Sequence, residues 1–135
     1  MKICITSQGK DLDSLLDPRF GRCQFFIFLN QKGEIENVLE NPGVLAARGA
    51  GIAAAQRVIS EGADVVITGN IGPHAFFVLQ KVGVKVFFAA PGVTLKDAFS
   101  MWQEGKLREI NEPSVGGGFG RGRGRGRGRG LGRFF

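Results

Sequence analysis

The stretch GADVVITGNIGP, residues 62–73, decides the fold. Its centre, Asp64–Thr68, is a short apolar run rich in β-branched residues, which predicts a buried strand. Gly62 is suited to end a preceding helix, and Pro73 is suited to the first turn of a following one. A helix, a strand and a second helix in this order predict β–α–β crossovers and parallel strands.

The pattern continues on both sides of this stretch. A helix is predicted over Gly51–Glu61, a second begins at Gly72-Pro73 and ends at Gly83, and Thr94 caps a third. The core face of the second helix is predicted to carry Phe76, Leu79 and Val82, and Lys85–Phe88 is a further strand. These elements alternate as expected for an α/β domain.

Three strands are predicted before the first helix, within KICITS (2–7), over Cys23–Asn30 and over EIENVLEN (34–41). A loop and a tight turn join them, so neighbouring strands run antiparallel and the second strand is reversed. The order βββαβαβα then gives a mixed five-stranded sheet flanked by helices. Four segments should meet at the carboxyl edge of its parallel strands, where open α/β sheets bind ligands: 8–22, 41–50, Gly69–His74 and Ala89–Val93.

All three predicted helices begin at that edge, and their free N–H groups favour an anion. The candidate binding residues are cationic or donor groups, positions of close backbone approach, and one soft metal ligand. They are Arg19, Arg22, Arg48 and His74, then Gly49, Ala50, Gly51 and Gly72, and finally Cys23.

Each candidate also has a simpler interpretation. Arg19 is equally suited to pair with Asp17, His74 to be solvated at a helix start, and Cys23 to pack at a strand start. Gly49-Ala50-Gly51 lacks the GxxxxGK[ST] pattern of a phosphate loop. Cys4 is predicted to be core. Asp11, Asp13 and Asp17 are predicted to be loop-solvating carboxylates, and no matched acid–base pair or nucleophile elbow indicates an enzyme.

The charge of the chain is divided unevenly between its two parts. Lysines and arginines number 18 against 12 acids, a net of +6, but residues 1–115 hold twelve of each. The predicted domain is therefore 1–112, followed by a disordered Gly/Arg-rich tail at 113–135. Without an apolar run of 18 residues, a secretory signal or more than two cysteines, we expect no membrane span and a cytoplasmic protein with reduced thiols.

Four motifs resemble one known family. They are Asp17–Cys23 (DPRFGRC), Glu40-Asn41-Pro42, Gly49–Ile52 (GAGI) and Gly62–Pro73. In this order, within residues 1–110, they resemble the dinitrogenase iron–molybdenum cofactor biosynthesis family. The likeness is greatest to its short, stand-alone members, which include a carrier of a molybdenum–copper sulfide cluster.

The resemblance implies a ribonuclease H-like three-layer fold with strand order 3-2-1-4-5 and strand 2 antiparallel. It also implies non-catalytic binding of an anionic metal–sulfur cluster or its precursor, of iron–molybdenum or molybdenum–copper type. The partners it implies are cofactor-assembly or acceptor proteins. Nuclease activity is not implied, because the first strand lacks the carboxylate that such nucleases need.

The tail lies outside this resemblance and leaves three interpretations open. Five Gly-Arg units run from Gly120 to Arg129. They suit a solubilising segment, an arm that attracts an anionic cluster or an acidic protein, or a nucleic-acid binder acting through phosphate contacts and stacking. The alternative function is therefore nucleic-acid binding through the tail, and a third is a regulatory domain for a small or phosphate-bearing ligand at the same sheet edge.

Overall fold

The computed structural model describes residues 1–41 and 49–113. The predictions for Arg48 and for the tail from Ser114 onward lie outside these residues. The elements follow one another as β1 (Ile3–Ser7), β2 (Phe25–Leu29), β3 (Ile35–Glu40), α1 (Ala50–Ser60), β4 (Val65–Thr68), α2 (Pro73–Lys81), β5 (Lys85–Phe88), α3 (Leu95–Gln103) and β6 (Arg108–Glu109).

The sheet is mixed and has the order β3-β2-β1-β4-β5-β6. The predicted reversal of β2 is confirmed, since β2 runs antiparallel to both β1 and β3. The β1–β4 and β4–β5 pairs are parallel, as the crossovers require. The carboxyl ends of β1, β3, β4 and β5 therefore share one edge.

The prediction of five strands is wrong, because β6 adds a sixth. Glu109 and Arg108 pair antiparallel with Phe87 and Phe88 of β5. A two-residue strand made of charged side chains has neither an apolar run nor an alternation, so its sequence carries no strand signal. Pairing with β5 forms it, helped by the Arg108 guanidinium over the Phe88 ring and by the packing of the flanking Leu107 and Ile110 on the core.

Side-chain alternation along the strands divides the core between the two faces of the sheet. On β1, Cys4 faces the cluster that α1 and α2 cover. Ile3 and Ile5 face the opposite cluster, which α3 covers. The helices thus flank the sheet on both sides and make three layers, and the prediction that Cys4 is core is confirmed.

Two side chains differ from their predicted environments. Val82 was expected on the core face of α2 but is 56% exposed, because the helix ends at Lys81 and the chain turns away. Asp17 was expected to solvate its loop but is 2% exposed, because it accepts hydrogen bonds from Arg19. Across the described ranges, no helix has the length and apolarity that crossing a membrane requires.

Candidate functional site

An ion pair between a buried carboxylate and an exposed guanidinium shapes the loop that follows β1. The Asp17 carboxylate accepts from the backbone N–H of Arg19 at 2.9 Å and from its guanidinium at 3.2 and 3.3 Å. The Arg19 side chain is 62% exposed while that of Asp17 is 3% exposed. The hydrogen bond that the Arg19 guanidinium donates to Asp17 also raises the pKa of Arg19. Arg19 therefore holds the loop, as its simpler interpretation predicted.

The same loop is fixed against the segment that joins β4 to α2. The N–H of Phe20 donates to the carbonyl of Asn70 at 3.0 Å, and the N–H of Asn70 donates back to Pro18. Beneath them, the Thr6 hydroxyl donates to the carbonyl of Asp17 at 2.6 Å and accepts from the Thr68 hydroxyl at 2.9 Å. This pairing places Phe20, Gly21 and Arg22 beside the start of α2.

Two helices begin next to this loop without any side-chain cap. Gly49 precedes α1 and Gly72 precedes α2, and glycine has no side-chain oxygen to accept from the first turn. Neither first turn contains an acidic residue. The amides at these starts have no acceptor within their helices. They are those of Ala50, Gly51, Ile52, His74 and Ala75.

Both helix starts open into one cleft of about 460 Å³. Its lining is Phe20, Gly21, Arg22, Gly49, Ala50, Gly51, Ile52, Gly72, Pro73, His74 and Ala75. No carboxylate is among these residues, whereas Arg22 and His74 both are. Two helix N-termini and these side chains make the electrostatic environment of the cleft favourable to an anion.

The cleft floor is closely packed because small residues meet there. A Cβ on Gly21 would lie 3.1 Å from the Cα and 3.2 Å from the N of Gly51. A Cβ on Gly51 would lie 3.3 Å from the Cβ of Ala75. The loop, α1 and α2 thus touch at points where larger side chains would push the two helix starts apart.

The third helix start does not join the cleft, contrary to the expectation that all three would share one site. α3 lies on the other face of the sheet, and the loop after β1 covers its first turn. Leu95 N–H donates to Ser14 O, Lys96 N–H to Leu12 O, and Asp97 N–H to Thr94 Oγ1. No residue of Ala89–Val93 appears in the cleft lining of the described chain.

Cys23 lies in the core beside the cleft and is not part of its lining. Its side chain is fully buried, and its thiol donates to the carbonyl of Phe20 at 3.5 Å. Burial, followed by the charge of Asp17, raises the pKa of Cys23 to about 12. Burial also raises the pKa of Cys4. Direct ligation by Cys23 stays a prediction, and it requires the thiol to be uncovered and to lose its proton.

Of the predicted site residues, the structure brings six together in the cleft. They are Arg22, Gly49, Ala50, Gly51, Gly72 and His74. Five further lining residues were not assigned to the site from the sequence: Phe20, Gly21, Ile52, Pro73 and Ala75. Gly21 stood in a quoted motif, but its contact with Gly51 depends on tertiary packing. Within the described residues, no group of three or more His, Cys, Asp or Glu is arranged to hold a metal ion.

A model of the family described as dinitrogenase iron–molybdenum cofactor matches residues 1–105. The chain belongs to this family. It is 32% identical over 98 residues to an uncharacterized protein of Methanocaldococcus jannaschii. The matched residues cover 70% of this chain and 82% of that protein. The expected resemblance is therefore confirmed.

Two solved structures of relatives have the same fold. The apo form of the orange protein from Desulfovibrio gigas is 34% identical, with a TM-score of 0.80, covering 84% of this chain and 96% of that one. A NifB-like protein from Thermotoga is also 34% identical, with a TM-score of 0.74, covering 86% and 98%. These family relatives make a role in cofactor assembly or cluster carriage the first hypothesis for this chain.

Proposed function

We propose that this protein binds an anionic metal–sulfur cluster, or its precursor, in the cleft and carries it during cofactor assembly without catalysing a reaction. The observation that carries the proposal is the pair of uncapped helix starts, α1 and α2, which open into one cleft that no carboxylate lines. Membership of the iron–molybdenum cofactor family supplies the class of anion.

The cleft suits a compact polyanion. Its volume of about 460 Å³ corresponds to roughly fifteen water molecules, so it admits a cluster of several heavy atoms. Backbone amides of α1 and α2 would donate to sulfur or oxygen atoms. Arg22 would neutralise charge, His74 would donate a ring N–H, and the apolar bodies of Phe20 and Ile52 would contact polarisable sulfur.

Transport fits this donor set better than permanent retention. Hydrogen bonds and charge hold an anion without bonds to the metal, so the cluster leaves intact when an acceptor protein approaches. In the described chain only His74, among the lining residues, is a metal ligand by type. The partners we propose are therefore assembly or acceptor proteins, in the cytoplasm, where Cys4 and Cys23 stay as free thiols.

The direct test is anaerobic titration with tetrathiomolybdate, alone and with copper, and with an iron–molybdenum cluster, followed by visible spectra and metal:sulfur analysis. Saturable uptake by the full chain is the expected result. The double variant Arg48→Ala with His74→Ala should bind more weakly, and Lys85→Ala, at the far end of the sheet, is the matched charge control.

Two results would overturn cluster carriage. One is that the wild-type chain takes up none of the three probes. The other is that uptake is unchanged in the double variant. Cys23→Ala separates the two possible roles of the thiol: weaker copper-dependent uptake with unchanged tetrathiomolybdate binding would identify Cys23 as a copper ligand.

A phosphate-bearing ligand would use the same amides. Competition decides between them, because tetrathiomolybdate, molybdate and phosphate are all tetrahedral anions but only the first presents sulfur. A cluster carrier should prefer tetrathiomolybdate, and displacement by phosphate at equal concentration would favour the regulatory-domain alternative.

The tail favours a second candidate function, nucleic-acid binding. Between residues 116 and 135 there are six arginines and no acid, and Phe119, Phe134 and Phe135 flank the repeats. Arginine forms paired hydrogen bonds with phosphate and stacks on bases, which lysine does less well. Single-stranded RNA should be titrated against the full chain and a 1–115 truncation at two salt concentrations. Steeply salt-dependent binding by the full chain alone would assign it to the tail.

A further inference from the structure

Asn41 has a buried side-chain amide, but it neither lines the cleft nor belongs to the apolar core clusters. It follows β3 directly and is 3% exposed. The sequence motif Glu40-Asn41-Pro42 contains it, but none of the proposed binding steps uses it. A buried amide needs partners for its hydrogens, so its contacts indicate what it does.

The side-chain nitrogen of Asn41 holds the loop that forms the cleft floor. Its Nδ2 donates to the carbonyl of Gly21 at 3.1 Å and to that of Cys23 at 3.0 Å, and it lies 3.8 Å from Cys23 Sγ. The backbone N–H of Asn41 also donates, to Gln24 at 3.1 Å. Asn41 thereby holds the loop backbone at three positions, Gly21, Cys23 and Gln24.

The direction of these bonds matters for an anion in the cleft. Because Asn41 is buried, the two carbonyl oxygens that it binds point into the protein. The negative ends of two peptide dipoles are thus kept off the bound anion. Without the amide donor, the Gly21 carbonyl would need another partner and would be free to turn toward the cleft.

We infer that Asn41 is a positioning residue, whose carboxamide holds Gly21 against Gly51 and keeps the Gly21 and Cys23 carbonyls turned away from the anion. The inference rests on the proposed function, since it concerns the affinity of the same cleft. Asn41 acts through Gly21, which contacts the start of α1 where an added Cβ would lie 3.2 Å from Gly51 N.

The test compares Asn41→Ala with Asn37→Ala. Asn37 lies on β3, four residues before Asn41, and is exposed. Among the described residues, its side-chain nitrogen donates to Glu61 Oε1 at 2.8 Å and makes no bond to the loop. Asn41→Ala should raise the Kd for tetrathiomolybdate about tenfold, equivalent to ~1.4 kcal/mol. Asn37→Ala should leave the Kd within about twofold. The salt dependence of binding should stay that of the wild type in Asn41→Ala, since no charge is changed, whereas Arg22→Ala should make it shallower.

A core variant controls for general loss of stability. Val65→Ala removes buried volume from β4 on the face of the sheet that α3 covers, opposite the cluster that contains Phe20 and Cys23, so it lowers the melting temperature while the Kd stays near that of the wild type. A wild-type Kd in Asn41→Ala, in a chain whose wild type binds tetrathiomolybdate, would overturn the positioning role. Absence of binding by the wild type would instead overturn the proposed function.

The intact chain gives a second measurement if Asn41→Ala does not fold. In nitrogen-labelled wild type, the two carboxamide protons of Asn41 should exchange slowly with solvent, and their signals should shift together with the Gly51 amide as tetrathiomolybdate is added. Fast exchange, or a Gly51 shift without any change at the Asn41 carboxamide, would contradict the inference.

Discussion

The helix starts on the two faces of the sheet differ in whether the protein itself supplies acceptors for the N–H groups of the first turn. At α3, the N–H groups of Leu95, Lys96 and Asp97 all donate to oxygens of the chain itself. At α1 and α2, the preceding residue is glycine and the first turn contains no acid. One start is closed by the protein, and two are left open to a shared cleft.

The difference indicates which part of the molecule is structural and which part binds. Asp97 in the first turn of α3 and the Thr94 cap satisfy and stabilise that helix. Leaving such groups out at α1 and α2 costs helix stability, and an anion would restore it. At the same edge of the sheet, α3 therefore begins with a side-chain cap, whereas α1 and α2 begin without one.

Closing α2 with a cap of its own should have the largest effect. Gly72 has φ −74° and ψ 168°, and a Cβ there meets no atom within 4 Å, so aspartate fits as an N-cap. In Gly72→Asp the carboxylate would occupy the amides of His74 and Ala75 and repel the anion. Tetrathiomolybdate should bind about 100-fold more weakly, or ~2.7 kcal/mol, in a spectroscopic titration.

Gly72→Asn is the matched control, because it caps the helix without adding charge. Its loss of affinity should be smaller than that of Gly72→Asp and should report the blocked amides alone. Equal binding by Gly72→Asp and the wild type would remove α2 from the site.

Crowding the cleft floor should have the next largest effect. Gly21→Ala would place a Cβ 3.1 Å from Gly51 Cα, so the loop or the start of α1 must move. We expect a roughly tenfold weaker Kd and a loss of stability of about 1–3 kcal/mol, measured by titration and urea denaturation. Gly72→Ala has open space and should change neither by a comparable amount. If both variants bind alike, close contact at Gly21 is irrelevant to the cleft.

The two loop arginines should then separate into a binding and a structural residue. Arg22 lines the cleft, whereas Arg19 pairs with Asp17. Arg22→Ala should weaken tetrathiomolybdate binding about threefold to fivefold, or ~0.6–1 kcal/mol, and flatten its salt dependence. Arg19→Ala should instead lower the melting temperature with little change in affinity. The opposite assignment of effects would show that the loop rearranges when the anion binds.

Local patterns in the sequence could predict the strand directions, including the reversed β2. The order 3-2-1-4-5 came from the family resemblance and missed β6. All three helix starts were expected at one anion-binding edge, but only those of α1 and α2 open into the cleft. Glycine before a helix and the absence of acids in its first turn are visible along the chain. The Thr94 cap of α3 was predicted and is confirmed. The bonds from Leu95 and Lys96 to Ser14 and Leu12 were not predicted, because tertiary folding brings that loop to the helix. The burial of Asp17 was likewise not predicted, because it accompanies hydrogen bonds from the backbone and guanidinium of Arg19 that form only in the folded loop.

Removing the cap of α3 should affect stability and leave binding unchanged. Thr94→Ala deletes the oxygen that accepts from Asp97 N–H at 3.1 Å, which should lower the free energy of unfolding by about 1 kcal/mol in urea denaturation. Thr94→Ser keeps the hydroxyl and should retain most of the stability. The start of α3 should not become an anion site, because Ser14 and Leu12 still accept from Leu95 and Lys96. The tetrathiomolybdate stoichiometry of Thr94→Ala should therefore equal that of the wild type. An additional equivalent bound by the variant would mean that the missing cap alone, without the cleft and its cationic lining, is enough to create a site.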